Sequence, residues 1–248
     1  LVKCYYYYEP LLHPPQHNLL NNMALIASIS GIRGTIGGGV GDNLTPVDIV
    51  KFAAAYGSWL KKKTDNHTVV IGRDARPSGD MLRAIVTGTL NALGISVIDL
   101  GLTTTPSVEL AVVKQEAGGG IILTASHNPK DWNALKLLND KGEFISAEDG
   151  RTILDLYKSE KFDFVPVDDI GKPREDYKYL QKHIDEVLGL PLVDAAKIKE
   201  RDLHVAVDCV NSGGGVYVPA LLHALGVDHV EELNCTPDGN FAHDPEPV

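Results

Sequence analysis

The segment Thr124-Ala125-Ser126-His127-Asn128-Pro129 follows directly on an apolar run, Gly118 to Leu123, and sets a hydroxyl, an imidazole and an amide side by side. Turn formers alone would end a strand there. This segment also carries a candidate nucleophile, Ser126, with His127 and Asn128 flanking it and Lys130 and Lys136 close behind. Two other segments bring cations to comparable places. Ser30-Gly31-Ile32-Arg33-Gly34 sets Arg33 in a glycine-rich loop, and Gly72-Arg73-Asp74-Ala75-Arg76 sets Arg73 and Arg76 just past a β-branched run. Arginine forks and lysine charges gathered around one serine suit a phosphoryl group better than a carbonyl substrate. Pro77-Ser78-Gly79 then opens a helix whose free N–H groups could also face an anion.

Each signal has a plainer alternative. A lone Gly-Arg-Asp is most often a surface turn with an Arg–Asp pair. Ser126 and His127 are adjacent and so do not face each other as nucleophile and base, and no Gly-x-Ser-x-Gly elbow surrounds them. The glycines from Gly37 to Gly41 lack the preceding strand of a dinucleotide fingerprint. Asn211-Ser212-Gly213-Gly214-Gly215 serves a close strand–helix turn as well as it serves a phosphate turn. His67, His183, His204, His223 and His229 show no metal-ligand spacing and read as structural or exposed.

The elements that must position these residues follow from the pattern. Leu44 to Lys63 reads as a helix: Thr45 caps it, Pro46 fits its first position, and Ile49, Val50, Ala53, Gly57 and Leu60 form its apolar face. Strands are expected at His67–Gly72, Ile95–Gly101 and Gly119–Ser126, alternating with helices that start near Ser78 and Pro106. Ala134–Ser146 reads as two short strands around an Asn139-Asp140-Lys141-Gly142 turn, and Ser146 caps a helix to about Lys158. The expected fold is therefore α/β, a layered α/β/α domain with a mixed, largely parallel sheet over 23–160. The unperiodic stretch 161–176 reads as a linker. From 177 to 248 a helix, the strand Leu203–Asp208, the glycine-rich turn, a helix and the strand His229–Asn234 begin a second, similar α/β domain.

Composition narrows the classes. A net charge of −10 is a poor footprint for nucleic acid, which selects a basic face. Residues are 44% hydrophobic, enough for a core, with no run approaching the ~20 apolar residues of a membrane helix. Three cysteines without C-x-x-C spacing argue against a disulfide framework and suit a reducing, cytoplasmic setting. Residues 1–22, with their Tyr run and scattered Pro and His, read as a non-native or disordered leader, and Met23 is the expected start.

Taken together, Thr-Ala-Ser-His-Asn-Pro, Gly-Ile-Arg-Gly, Gly-Arg-Asp-x-Arg-x-Ser-Gly, Asp-Cys-Val-Asn-Ser-Gly-Gly-Gly and Pro-Asp-Gly-Asn-Phe resemble the α-D-phosphohexomutase family. That family comprises phosphoglucomutases, phosphomannomutases and phosphoglucosamine mutases. The resemblance runs from about Ser28 to Val248 and implies the N-terminal half of such an enzyme. It implies that Ser126 carries a phosphate and exchanges it with a hexose monophosphate through a hexose 1,6-bisphosphate. It implies that Lys136 is the general acid/base, that Arg33 and His127 belong to the catalytic group, and that Arg73, Arg76, Asn128 and Lys130 bind phosphate. It further implies Mg²⁺ held by the Ser126 phosphate and by an Asp-x-Asp-x-Asp-Arg loop that this sequence does not contain. The substrate class is a hexose phosphate, with the sugar undetermined, and this half alone is expected to be inactive. Two other readings stand beside it: a non-catalytic truncated paralogue that binds sugar phosphates, and a nucleotide-dependent oxidoreductase, for which no ribose-binding acid follows a proper glycine fingerprint.

Overall fold

The computed structural model describes residues 25–28 and 31–246, and the expected leader lies outside them. One seven-stranded sheet organises the first domain, in the order β1 (Ile26–Ser28), β2 (Gly31–Thr35), β6 (Trp132–Leu138), β5 (Gly119–Leu123), β3 (Thr68–Arg73), β4 (Ser96–Leu102), β7 (Pro173–Glu175). The strands β5, β3, β4 and β7 run parallel, and β1, β2 and β6 join by antiparallel pairing, giving the mixed sheet expected.

Helices cover both faces. On one face lie α1 (Pro46–Lys63), α2 (Gly79–Ala92) and α4 (Ala147–Ser159), packed on Val69, Ile71, Val97, Ile121, Leu123, Leu135 and Leu137. On the other, α3 (Thr105–Lys114) and α5 (Tyr179–Leu188) cover Val70, Ile98, Ile122 and Leu138. Alternation along the strands sends neighbouring residues to opposite faces, so each apolar run serves both layers. The α1 start is the capping box read in the sequence, with Thr45 receiving the Asp48 amide. Its buried stripe, however, runs Ile49, Phe52, Ala53, Tyr56, Gly57 and Leu60, while Val50 is exposed.

The order of connections creates the site. The chain leaves β3 through α2 on one face and reaches β4; it leaves β4 through α3 on the other face and returns across β3 to β5. The loops after β3 and β4 therefore diverge, and a crevice opens beyond the carboxyl ends of those strands.

Two expectations need correction. The second strand after β6 reduces to one bridge, Leu138 to Phe144, because the Asn139 side chain bonds the Lys141 and Glu143 amides and closes a tight turn. The stretch 161–176 is not a free linker. It holds a 3-10 turn at Val167–Asp169 and then adds β7 to the sheet edge, where Pro173 as the first residue of an edge strand sacrifices no ladder bond.

The second unit comprises α5, a short α6 (Ala195–Glu200) with no periodic signal, β8 (His204–Asp208), α7 (Gly214–Ala224) and β9 (His229–Leu233), with β8 and β9 parallel. It meets the first where the Tyr217 hydroxyl lies 2.9 Å from the Thr103 hydroxyl.

Candidate active site

The serine loop begins where β5 ends. All five residues Gly119–Leu123 are buried, and the chain then emerges so that Ser126 is exposed. Its φ is 57°, a left-handed conformation that costs a residue with a Cβ about 1–2 kcal/mol. Such a conformation persists only where the surroundings enforce it.

Arg76 enforces it. Its side chain is fully buried, yet all five of its N–H donors find acceptors. Nε donates to Asp74 Oδ2 at 3.0 Å, and Nη2 donates to the carbonyls of Ser126 at 2.9 Å and Asn128 at 2.7 Å. Nη1 donates to the carbonyls of Trp132 at 3.0 Å and Pro129. The planar fork thus gathers four carbonyls of one loop, and the Phe241 ring covers the guanidinium at 5.1 Å. Burial lowers the Arg76 pKa and Asp74 opposes the shift. Arg76 was expected to bind phosphate; with no N–H left over, it positions the loop instead.

Asp74 completes the frame. It accepts from the Thr124 hydroxyl at 2.6 Å and from the Arg76 amide at 3.1 Å, and Thr124 in turn accepts from the Ser126 amide at 3.1 Å. An unbroken chain of hydrogen bonds therefore runs from Arg76 through Asp74 and Thr124 to Ser126. Arg73 is likewise not open to the serine: it pairs with Asp80 at 3.0 Å and donates to the Asp74 carbonyl, and its Nε is buried without a partner among the described residues.

A cavity of about 180 Å³ lies in front of the loop, lined by Asp74, Thr104, Thr124, Ser126 and, from the second unit, Ser212 and Gly213. That is below the ~300 Å³ at which ligand pockets begin, so it suits a phosphoryl-sized group rather than a whole sugar. The Asn128 Oδ1 is buried and without a partner among the described residues. His127 is exposed beside Glu246, with Nε2 3.5 Å from its carboxylate, and Lys130 is exposed on the same loop.

Lys136 and Arg33 come from β6 and β2. The pairing sets Gly31 opposite Lys136 and Arg33 opposite Ala134, so the two cations share one face of the sheet. Lys136 also pairs with Ile122 of β5, which lines the serine cavity. A neighbouring cavity of about 240 Å³ is lined by Ser28, Gly31, Arg33 and Lys136. Gly31 is required there: at φ 135°, a Cβ would overlap the Leu135 carbonyl across the strand pair. Burial pulls the Lys136 ammonium below its ordinary 10.5; Asp74 opposes, while Arg33 and Arg76 reinforce the shift. Burial, and not neighbouring arginine charge, is thus the leading cause.

The sequence reading missed Thr124, Phe241 and Glu246 as parts of this site. Thr124 stands two residues before the nucleophile, so its position in the motif was the available signal. Phe241 and Glu246 arrive from the second unit by tertiary packing, which no local pattern encodes.

The residues present do not by themselves fit a hard divalent cation. Such an ion takes six or more oxygens. Asp74 is the carboxylate lining the serine cavity, and both its oxygens already accept hydrogen bonds.

Comparison with known proteins gives the family. Residues 26–164 match the family described as phosphoglucomutase/phosphomannomutase, alpha/beta/alpha domain I, and residues 181–248 match its domain II. A phosphoglucomutase/phosphomannomutase of Thermococcus kodakarensis is 36% identical over 220 residues, covering 88% of this chain and 46% of that protein. A phosphoglucosamine/phosphogalactosamine mutase of Sulfurisphaera tokodaii is 33% identical over 229 residues, covering 91% and 48%. The crystal structure of a phosphoglucomutase/phosphomannomutase family protein from Burkholderia thailandensis superposes with a TM-score of 0.73 at 25% identity, over 86% of this chain and 44% of that one. The chain spans about half the length of the curated relatives it matches. With two family domains matched in order across most of its length, the chain belongs to the phosphoglucomutase/phosphomannomutase family.

Proposed function

We propose that this chain supplies the phosphoserine half of a phosphohexomutase, with Ser126 as the residue that carries and transfers the phosphoryl group. The observation that carries the reading is the left-handed, exposed Ser126 at the end of a wholly buried strand, held by a buried arginine that makes four of its five hydrogen bonds to that loop and the fifth to Asp74. A flexible surface serine would need no such frame.

In the transfer, the phosphorus–Oγ bond of phosphorylated Ser126 breaks as a bond forms to a hydroxyl oxygen of a hexose monophosphate. The hydroxyl proton passes to Lys136, whose burial lowers its pKa and so shifts it toward the neutral amine that accepts a proton. The product is a hexose 1,6-bisphosphate and a serine alkoxide, which takes up a proton from solvent to become the free serine; the reverse step from the other phosphate restores the phosphoserine. Protein can contribute mainly alignment and charge to such a reaction. Arg33 and Lys130 supply open positive charge near the incoming phosphates, and Asn128 and His127 flank the nucleophile. Mg²⁺ belongs to the proposal only as an ion that the Ser126 phosphate would share with carboxylates outside the residues present, where it would neutralise phosphoryl charge.

No helix among the described residues is long and apolar enough to cross a membrane. The proposal includes a cytoplasmic setting and small phosphorylated sugars as the substrate class. The test is intact-mass measurement of the protein after incubation with a hexose 1,6-bisphosphate and Mg²⁺. Ser126→Ala should abolish the added phosphate while preserving the circular dichroism spectrum. Full uptake by the variant would refute the assignment.

A further inference from the structure

The second unit carries a cluster that the serine chemistry does not use. In the parallel pairing of β8 and β9, His204 stands directly opposite His229 at the first register position. Their rings stack at 4.2 Å between centroids with planes 16° apart. Asp202 precedes β8 in a left-handed turn (φ 46°) that carries the chain out of α6, and its Oδ1 lies 3.5 Å from His229 Nε2. Ligand atoms of all three side chains lie within 4.8 Å of one another, and all three residues are exposed. An open cavity of about 330 Å³ adjoins them, lined by His204, Ala206, His229 and Glu231.

We infer that Asp202, His204 and His229 form a surface site for a borderline divalent transition ion such as Zn²⁺, separate from the serine loop and from the Mg²⁺ of the proposed reaction. Two imidazoles and one carboxylate are a donor set for Zn²⁺ or Co²⁺, whereas Mg²⁺ and Ca²⁺ select oxygen. Nitrogens bound about 2.0–2.1 Å from one tetrahedral zinc sit about 3.3 Å apart. The observed spread closes to that value by side-chain rotation that fans the stacked rings toward a common point. The backbone need not move, because the strand register already fixes the two histidines as neighbours. The sequence spacing hid the site: two single histidines separated by a helix lack any short motif, and only the parallel register joins them.

Position limits what the ion can do. The cluster lies at the amino ends of β8 and β9, while the turn that lines the serine cavity follows the carboxyl end of β8, roughly 13 Å further along the strand. The ion therefore ties two strands and the preceding turn together and takes no part in phosphoryl transfer.

The test is competition for Zn²⁺ between the reduced 248-residue chain and a chromogenic chelator, with His204→Gln, His229→Gln and Cys235→Ser variants. All three positions are partly or fully exposed, and circular dichroism checks that each variant is folded. One equivalent of Zn²⁺ should bind, and each histidine substitution should weaken it at least about tenfold, since even loss of a group behind a ligand costs that much. Cys235→Ser should leave it unchanged, and Zn²⁺ should raise the Tm of the parent chain but not of His229→Gln. Absence of binding, or unaltered affinity in either histidine variant, would overturn the site. Neither result bears on Ser126, because phosphate uptake is read by mass without zinc.

Discussion

The Arg76 guanidinium donates from Nη2 to the Ser126 carbonyl at 2.9 Å, so a buried cation on the loop after β3 fixes the backbone of a serine on the loop after β5. The link is to the main chain, not to the hydroxyl. Ser126 Oγ is left to face the cavity while its peptide is pinned.

Loss of Arg76 should therefore damage the loop before it damages charge. Arg76→Met removes the guanidinium donors from four carbonyls and from the Asp74 carboxylate. Removing one partner of a buried pair costs about 3–5 kcal/mol. Urea unfolding should show a loss of that size, and Arg76→Lys should recover little of it, because three donors on a point charge cannot reproduce the fork.

Lys136 should act through its proton. Lys136→Arg keeps a positive charge that cannot be released near neutral pH, and removal of a general acid/base typically costs about 10²–10⁴-fold. Steady-state kinetics on the protein encoded by the whole gene should show kcat reduced by that order with KM little changed. Activity of the parent should rise with pH as Lys136 loses its proton, and that limb should lie below 10.5, the ordinary lysine value, because burial depresses it. A large rise in KM at unchanged kcat would assign Lys136 to binding alone.

The seam between the two units rests on close backbone approach. Gly239 has φ 73°, and a Cβ there would overlap the Ala75 carbonyl, next to Arg76. Gly239→Ala should lift the turn that brings Phe241 over the Arg76 guanidinium. Overpacking of this kind costs about 1–3 kcal/mol, measurable as a lower urea midpoint. Proteolysis should then cut faster near residues 236–241.

Acid should weaken the same seam at His183. Its Nδ1 lies 2.7 Å from the buried Ser107 hydroxyl of α3, and burial lowers its pKa from 6.5. The folded chain holds the ring neutral, so its contribution is complete above 6.5 and is lost as pH falls through the depressed folded value. Melting temperatures between pH 7 and 5 should fall less steeply for His183→Gln than for the parent. Parallel curves would remove His183 from the account.

The strands and helices were legible because their signals are local. Thr45-Pro46 with Asp48 announces α1, and the β-branched runs at Val69–Ile71 and Val97–Ile98 announce β3 and β4. Edge strand β7 was hidden because its three residues carry no alternation and are exposed on both faces. The candidate nucleophile was legible from its motif. The division of labour among the arginines was not: Arg33 and Arg76 look equivalent in sequence, yet one is exposed on a strand and the other fully buried under a loop 50 residues away. Burial of a charged side chain is decided by which carbonyls surround it, and those come together only through the β3–β5 pairing.

The most direct test of the central claim is phosphopeptide mapping of the protein after exposure to labelled hexose 1,6-bisphosphate and Mg²⁺. The account predicts label on the peptide containing Ser126 and on no other, lost again when unlabelled hexose monophosphate is added. Label on another residue, or label on Ser126 that the sugar phosphate cannot remove, would contradict it.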